Sequence, residues 1–485
     1  MLSIGYYLLA FSLVILLLLL SYFHLKYSDS VYPYIIFVSV SGAFVILWST
    51  IPRSSKFIKP GPLISPKDYP SLFKEIEYIS KVAQQKAPDE VYLTLEVNAW
   101  VTERSSFFGF GTKRVMGVGL PLLQLLTVSQ LRSILAHEFG HYYGGDTKLS
   151  PIAYKTRMRI ERTIKILTQL QSNLVNIFLA YGRMFLKVTA SLSRTQELKA
   201  DTFAAQISGS QNFINALKVV HSAGDILDTF WKNEMAPVLR AECKPVLMKC
   251  FKRYINAQPI KEIMDKNLDN EIRYPLVSIY NTHPTLKERI TNIEEQNFGS
   301  VDELNSAAIS LLGNINIAEN QLLEFCINKT KYDKLKEIDW KNFDEAYIAI
   351  WKADLIKFLP ALNGVIIDSL PADYMGLVEF TAKIAKCLDM EIEFEQGKLL
   401  SNSIIGEAIS VILYNWGWQL KVMPGDKVVL CCNGNEIEPF TILYNLSKCK
   451  LDMQEWGGFC KDIGVHGIEL GDRSVLKIDE NLIRI

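Results

Sequence analysis

Neither sign of charge is in surplus in this sequence: Lys and Arg total 52, Asp and Glu total 52, and the formal net charge is zero. A nucleic-acid binder normally carries a basic excess, so that class is set aside. Charge is also thin, 21% of residues against 49% hydrophobic, which excludes a disordered or fibrous chain. The eight cysteines lie scattered between Cys243 and Cys460, without paired zinc spacing or a dense disulfide framework. They read as free thiols of a reducing compartment. Histidine is scarcer, six in all, within 485 residues that suffice for two or three domains.

Apolar residues are concentrated at the start. Residues 4–23 are uncharged and include five consecutive leucines, Leu16 to Leu20; residues 31–51 form a second uncharged run. Each is close to the ~20 residues a helix needs to cross ~30 Å of hydrocarbon, where a helix satisfies its own backbone. The short stretch 24–30 suits a tight hairpin. The first run lacks a basic start and a second follows at once, which speaks against a cleaved signal peptide. No Lys or Arg precedes the first run, and only Lys26 lies in the turn. Arg53, Lys56, Lys59 and Lys67 follow the second. This bias predicts an integral membrane protein, of a cell's inner membrane, with both termini and everything beyond residue 53 in the cytoplasm.

Beyond a proline-marked linker (Pro60, Pro62, Pro66), residues 70–87 carry apolar positions at helical steps, Leu72, Ile76, Ile79 and Val82. Residues 90–103 read as one strand and 114–119 as a continuation of a sheet after a Phe-Gly turn around Gly109 and Gly111. Residues 127–143 read as a helix with Thr127 or Ser129 as cap, a stripe of Leu131, Ile134, Leu135 and Phe139, and a Gly144-Gly145 stop. A long helical region spans 152–209. Between Lys148 and Arg194 it holds nine Lys or Arg against one acid, Glu161. Its segment 174–192 is apolar except for Arg183 and Lys187. That pattern fits a core helix with a solvated stripe or a helix lying on anionic lipid; a full third span is disfavoured. More helices follow to about residue 362. The tail reads as a helix (404–415), then strands at 419–423, 427–432 and 437–443 joined by Pro-Gly-Asp and Asn-Gly turns.

The chemistry-bearing motif is His137-Glu138-Phe139-Gly140-His141. Helix positions four apart share a face, so both imidazoles reach one zinc ion, with Glu138 beside it as a base. The apolar neighbours make this a buried helix, and burying two His and a Glu without partners costs several kcal/mol, on the order of ~2–7 per group. A metal resolves that conflict. A third ligand is required, and Glu197 in Ser193–Asp201 supplies a candidate. Asp201, one turn on, is placed to accept the other ring N–H of a ligand histidine and fix its orientation.

HEFGH, the later SRTQELKAD, and Thr282-His283-Pro284 with Leu286, Arg289 and Ile290 behind it resemble the membrane gluzincins, the HtpX and CAAX-prenyl-endopeptidase group that forms metallopeptidase family forty-eight. The resemblance runs from about residue 60 to 300. It implies His137, His141 and Glu197 as zinc ligands, Glu138 as catalytic base and Asp201 as the carboxylate behind the ligands. It also implies that Asn98 and Ala99 lie on the strand along which gluzincins lay their substrates. His283, in the family's His-Pro motif, would be an oxyanion donor, a movable further zinc ligand, or simply a turn that starts a helix. The fold implied is mainly α with a small β-sheet, an α+β zincin-type metallopeptidase. A two-helix transmembrane hairpin precedes it (1–53), the peptidase domain occupies 54–300, a helical extension 301–363, and a small α+β module 364–485.

The expectation is a membrane-anchored zinc endopeptidase working by a Glu-assisted, zinc-bound water on unfolded or membrane-associated proteins or peptides, beside a lipid bilayer and with no nucleic-acid partner. The competing expectation is a catalytically silent scaffold or chaperone-like protein that kept the fold.

Overall fold

The structure is a computed structural model, and it describes all residues except 1, 52–56, 106–111, 143–149, 245, 300–303, 339–342 and 479–485. Arg53, Lys56, the turn expected at Gly109 and Gly111, and the Gly144-Gly145 stop lie outside the described residues. What is described is mainly helical with three small sheets, in line with the α+β class expected.

Helices α1 (Leu2–Tyr27) and α2 (Pro33–Thr50) are long and apolar enough to cross a membrane. At 1.5 Å per residue they measure about 39 and about 27 Å. The turn between them is closed by His24, whose Nε2 accepts the Tyr32 N–H at 2.9 Å while the two rings stack. Large apolar side chains face outward all along both helices, for example Leu16, Leu20, Phe37 and Phe44. A helix apolar on every side needs an apolar surrounding.

The chain divides into two compact units, residues 1–224 with 265–322, and residues 225–264 with 323–485. The first unit holds a four-stranded sheet of order β1-β2-β4-β3, made of β1 (Leu63–Ile64), β2 (Glu90–Thr94), β3 (Ala99–Ser105) and β4 (Thr112–Gly119). The single strand expected over 90–103 is therefore two. The chain leaves the sheet at residues 95–98, and β4 inserts between the halves, parallel to β2 and antiparallel to β3. Gly119 permits this crossing, because a Cβ there would overlap the Glu96 carbonyl. Strand β3 is left at the edge. Helix α3 (Pro70–Val82), with Leu72, Ile76 and Ile79 buried, packs against α5 (Val128–Gly140), into which the short α4 (Leu120–Leu125) leads.

The long helical region expected over 152–209 consists of two helices, α6 (Ser150–Gln169) and α7 (Val175–Ser208), with a turn at 170–174. The first half of α7 packs with α6 against α1 and α2 around Tyr6, Ala10, Ile46, Ile160 and Phe178. Its second half packs against α5. Helix α8 (Ser210–Phe230) follows directly.

In the second unit, helices Phe343–Leu362, Tyr374–Leu388 and Phe394–Asn415 pack together. Beside them lies an antiparallel sheet of Gln419–Lys421, Val429–Cys432 and Asn435–Ile437. Asn433 and Gly434 have φ of 49° and 83°, the left-handed pair that a two-residue hairpin requires. The strand expected at 437–443 is a correction: only Ile437 is strand, and Pro439–Ser447 is helix. Pro439 sits at the first helical turn, where its missing N–H costs nothing, and Ile442, Leu443 and Leu446 give the buried face.

Candidate metal centre

Helix α5 begins at a capping box in which the Thr127 hydroxyl accepts the Gln130 N–H and the Gln130 side chain accepts the Thr127 N–H. Leu131, Ile134, Leu135 and Phe139 are buried, so this end and this stripe fix the helix axis. One turn apart at its far end are His137 and His141, the latter serving as the C-cap. Gly140 lies against α7. A Cβ there would stand 3.1 Å from the Ala200 Cα, so glycine lets the two helices meet at the level of the histidines.

At that level α7 presents Glu197. Its Oε2 is 3.6 Å from His137 Nε2 and its Oε1 is 3.6 Å from His141 Nε2. Ligand-capable atoms of all three residues lie within 4.8 Å of one another. Contacts of 3.6 Å are too long for hydrogen bonds. They match the ~3.4 Å edge of a tetrahedron whose corners stand ~2.1 Å from a central ion. Two imidazole nitrogens and a carboxylate, converging without bonding one another, fit a divalent metal.

The charge states favour the same use. Burial pushes the His141 imidazole down to about 4, helped by His137 and opposed by Glu197 and Asp201. The ring is therefore neutral near pH 7, as a metal ligand must be. Burial acts to raise the Glu197 carboxyl, but the His283 hydrogen bond and the neighbouring imidazoles outweigh it and bring the group to about 2. Glu138 goes the other way. Burial pushes it up to about 7, with Glu197 adding to the rise and His137, the Val101 N–H and Arg289 opposing it.

Asp201, one turn beyond Glu197, is fully buried, and its Oδ1 stands 2.9 Å from His137 Nδ1. The approach is close but not aligned as a hydrogen bond, and among the described residues that nitrogen has no hydrogen-bond partner. Arg289 clamps the same carboxylate from the helix Leu286–Gln296, Nε to Oδ2 at 2.8 Å and Nη2 to Oδ1 at 2.6 Å. Phe213 of α8 stacks on the other side of the His137 ring, centroids 6.0 Å apart. His137 is thus held from two directions.

The structure places His283 beside this cluster, with Nδ1 3.3 Å from Glu197 Oε2 although its side chain is 69% exposed. It lines a cleft of about 860 Å³ with Tyr274, Leu276, Tyr280 and Asn281. Arg194 fastens that segment by donating to the Asn281 carbonyl at 2.7 Å. Asn98 is exposed just before β3, and Ala99, buried, is the first residue of that edge strand. The Asn98 carbonyl accepts the Gly119 N–H at 2.9 Å. Main-chain directions alternate along a strand, so the groups of Ala99 and Val101 point outward from the sheet.

Three contacts of the site are not legible in the sequence. Arg289 was visible only as a member of the His-Pro motif. Tyr142 directly follows the histidine motif, and its hydroxyl donates to the Val101 carbonyl at 3.1 Å. The Val101 N–H bonds the Glu138 carboxylate. One edge residue therefore touches both the base and the tyrosine, and no spacing rule in the sequence announces it.

This fold and donor set define a metallopeptidase-type domain. Residues 66–297 match peptidase family M48. Two similar proteins are a protease HtpX homolog of Aeropyrum pernix, 27% identical over 195 residues, and protease HtpX of Stutzerimonas stutzeri, 22% identical over 243 residues. The aligned stretches cover 35% of this chain and 58% of the first relative, and 46% of this chain and 72% of the second. The chain thus spans little more than half the length of the Aeropyrum pernix protein. Residues 66–297 are an HtpX-like domain of peptidase family M48.

Proposed function

We propose that the protein is a membrane-anchored zinc endopeptidase whose peptidase domain hydrolyses protein substrates at the cytoplasmic face of the membrane. The carrying observation is the convergence of His137, His141 and Glu197 with Glu138 alongside. Zinc held by these three side chains would supply Lewis acidity toward a water and a peptide carbonyl. Glu138 takes the proton of the attacking water and hands it to the departing amine as the C–N bond breaks. Burial favours the protonated form of this carboxyl, which suits a group that must both take and return a proton. The Val101 N–H keeps it aimed.

Substrate binding is assigned to the β3 edge. Val101 is engaged by Glu138 and Tyr142, which leaves the outward main chain of Ala99, with the exposed Asn98 side chain next to it, for an extended peptide. Main-chain pairing tolerates many sequences, so unfolded or loosely held segments are the substrates this edge fits. His283, within bonding distance of Glu197, is assigned either to the oxyanion or to the metal. The cytoplasmic orientation rests on the basic residues that follow α2 (Arg53, Lys56, Lys59 and Lys67) against the single Lys26 between the two runs.

The test is casein digestion by the full-length protein with bound zinc measured in parallel. Wild type should digest casein, a chelator should abolish the digestion, and Glu138→Gln should keep stoichiometric zinc while losing at least about 10²-fold in rate. Undiminished cleavage by Glu138→Gln removes the base. A wild type that binds zinc yet cleaves nothing returns the protein to the scaffold class.

A further inference from the structure

The second unit holds a cavity that the peptidase chemistry does not use. It measures about 330 Å³, at the small end of the ~300–1,000 Å³ range of small-ligand sites. Its lining comes from residues 232–240, 347–354, 403–407, 422–428 and Phe440, all within that unit. One wall is aromatic. Trp351 lies between Tyr347 and Phe440, with ring centroids 5.6 and 5.4 Å away. Tyr347 and Trp351 are one turn apart on the helix Phe343–Leu362, so both rings fall on one face. Glu234 stands on a π-helical turn, Trp231–Met235, between α8 and the helix Ala236–Arg240. Such turns are rare and gather at functional sites.

The acids around the cavity are not equivalent. Asp354 is paired with Arg240, Nη2 to Oδ2 at 3.6 Å, and Asp426 is paired with Arg253. Glu234 is satisfied at both oxygens, by the Tyr347 hydroxyl at 2.5 Å and the Gly425 N–H at 3.2 Å. Glu407 is the exception. Its Oε1 accepts the Ser403 hydroxyl at 3.1 Å, while its Oε2 has no hydrogen-bond partner among the described residues. Nor is that oxygen sealed in the core. The carboxyl lies deep in the unit, and the surface it keeps is the surface it shows to the cavity. Burial, and after it the charge of Asp354, pushes this group up to about 8 against Ser403 and Arg240, so it holds its proton for want of a counter-ion. Lys232, the remaining cation of the lining, is exposed.

An acceptor without a donor, beside three contiguous rings, suits a cation with an apolar body. A divalent metal is the weaker occupant. Among the described residues the donors that converge closely enough to hold one are His137, His141 and Glu197. An anion would meet the carboxylates of the lining.

We propose that this cavity binds a primary ammonium group on an alkyl stem, with the ammonium on Glu407 and the stem along the rings of Tyr347, Trp351 and Phe440. The ammonium belongs to a free alkylamine or to a lysine side chain, since both offer the same head and stem. On binding, the Glu407 proton passes to the solvent buffer and the ammonium takes its place. The inference is independent of the metal centre and of peptidase activity.

The experiment uses the full-length protein in detergent at neutral pH. Binding of n-pentylamine and of its uncharged counterpart 1-pentanol is measured by calorimetry, and hydrogen exchange across residues 343–362 and 394–415 locates the site. The amine should bind at least about 10-fold more tightly than the alcohol and slow exchange in both helices. Its binding heat should vary with the ionisation enthalpy of the buffer, because a proton is released; a carboxyl that merely supports the fold gives no such variation. Glu407→Gln keeps the shape of the side chain and should weaken the amine at least about 10-fold while leaving the alcohol unchanged. Equal affinity for amine and alcohol, or binding of neither, overturns the proposal. An unaltered amine affinity in Glu407→Gln overturns it as well. N-acetyl-lysine methylamide separates the two sources. Affinity equal to that of n-pentylamine assigns the site to lysine side chains, and its exclusion while n-pentylamine binds assigns the site to free amines.

Discussion

Asp201 shows why the centre depends on more than its three donors. Its carboxylate is fully buried, with His137 on one side and Arg289 holding both oxygens on the other. Removing the guanidinium leaves an ionised carboxylate without its counter-charge, which typically costs ~3–5 kcal/mol. Arg289→Ala should therefore unfold at markedly lower denaturant concentration and bind zinc about 10–100-fold more weakly, because the carboxylate no longer fixes the His137 ring. Denaturant titration and zinc competition with a chelator measure the two effects; a variant with wild-type values in both would show that the clamp is idle. Tyr142 permits a milder change. Tyr142→Phe removes only the hydroxyl on Val101, a loss of about 1 kcal/mol, and should lower kcat about five-fold at unchanged zinc content. An unaltered kcat would separate Val101 from the alignment of Glu138. At this scale the sequence announced the donors and little else. A His-Glu-x-x-His spacing on a helix is a geometric statement that needs no tertiary structure, and Glu197 with Asp201 repeats the same step. Arg289 and the Val101 main chain act across the fold, and nothing local to their sequence fixes their partners.

Helices α5 and α7 carry the three candidate metal donors, and their approach at Gly140 sets the spacing of the cluster. A methyl group there would meet the Ala200 Cα at 3.1 Å, which cannot swing away, as well as the Ala200 Cβ and the Phe203 ring at 3.3 Å. Gly140→Ala should force the helices apart by a few tenths of an ångström, with a stability cost of ~1–3 kcal/mol. The structural consequence is a wider His-to-Glu197 gap and weaker zinc binding, read by competition with a chelator. Normal affinity together with normal stability would mean that α7 accommodates the methyl group without moving. Most helices were legible as elements because a stripe of apolar residues at three- and four-residue steps is buried in one packing, as on α3 and α5. Strands were less legible. The run 90–103 is rich in β-branched and aromatic residues on both sides of 95–98, and the break there exists because β4 enters between its halves. The segment after Asn435 misled for the opposite reason: Ile, Phe, Thr and Leu have strand-like composition, but Pro439 starts a helix whose buried face follows a helical period.

At the scale of the whole molecule the candidate metal donors of the described residues lie in the first unit, and the second unit carries a buried acid that makes its stability depend on pH. Glu407, on the helix Phe394–Asn415, is pushed from an ordinary value near 4.5 up to about 8 by burial first and by the charge of Asp354 second, against the Ser403 hydrogen bond and Arg240. Between those two values the folded unit keeps the proton that the unfolded chain gives up. Stability from this group is therefore complete below about pH 4.5, falls as pH rises, and reaches its lowest level near pH 8. Replacing it by the neutral isostere removes the dependence. Glu407→Gln should match wild type near pH 4.5 and exceed it increasingly toward pH 8, by an amount on the order of a few kcal/mol. Hydrogen exchange across residues 394–415, followed at several pH values after correction for the intrinsic rate, isolates this unit from events at the metal centre. Parallel curves for the two proteins would show that Glu407 is ionised in the folded state and already matched by a cation, with Arg240 the nearest candidate.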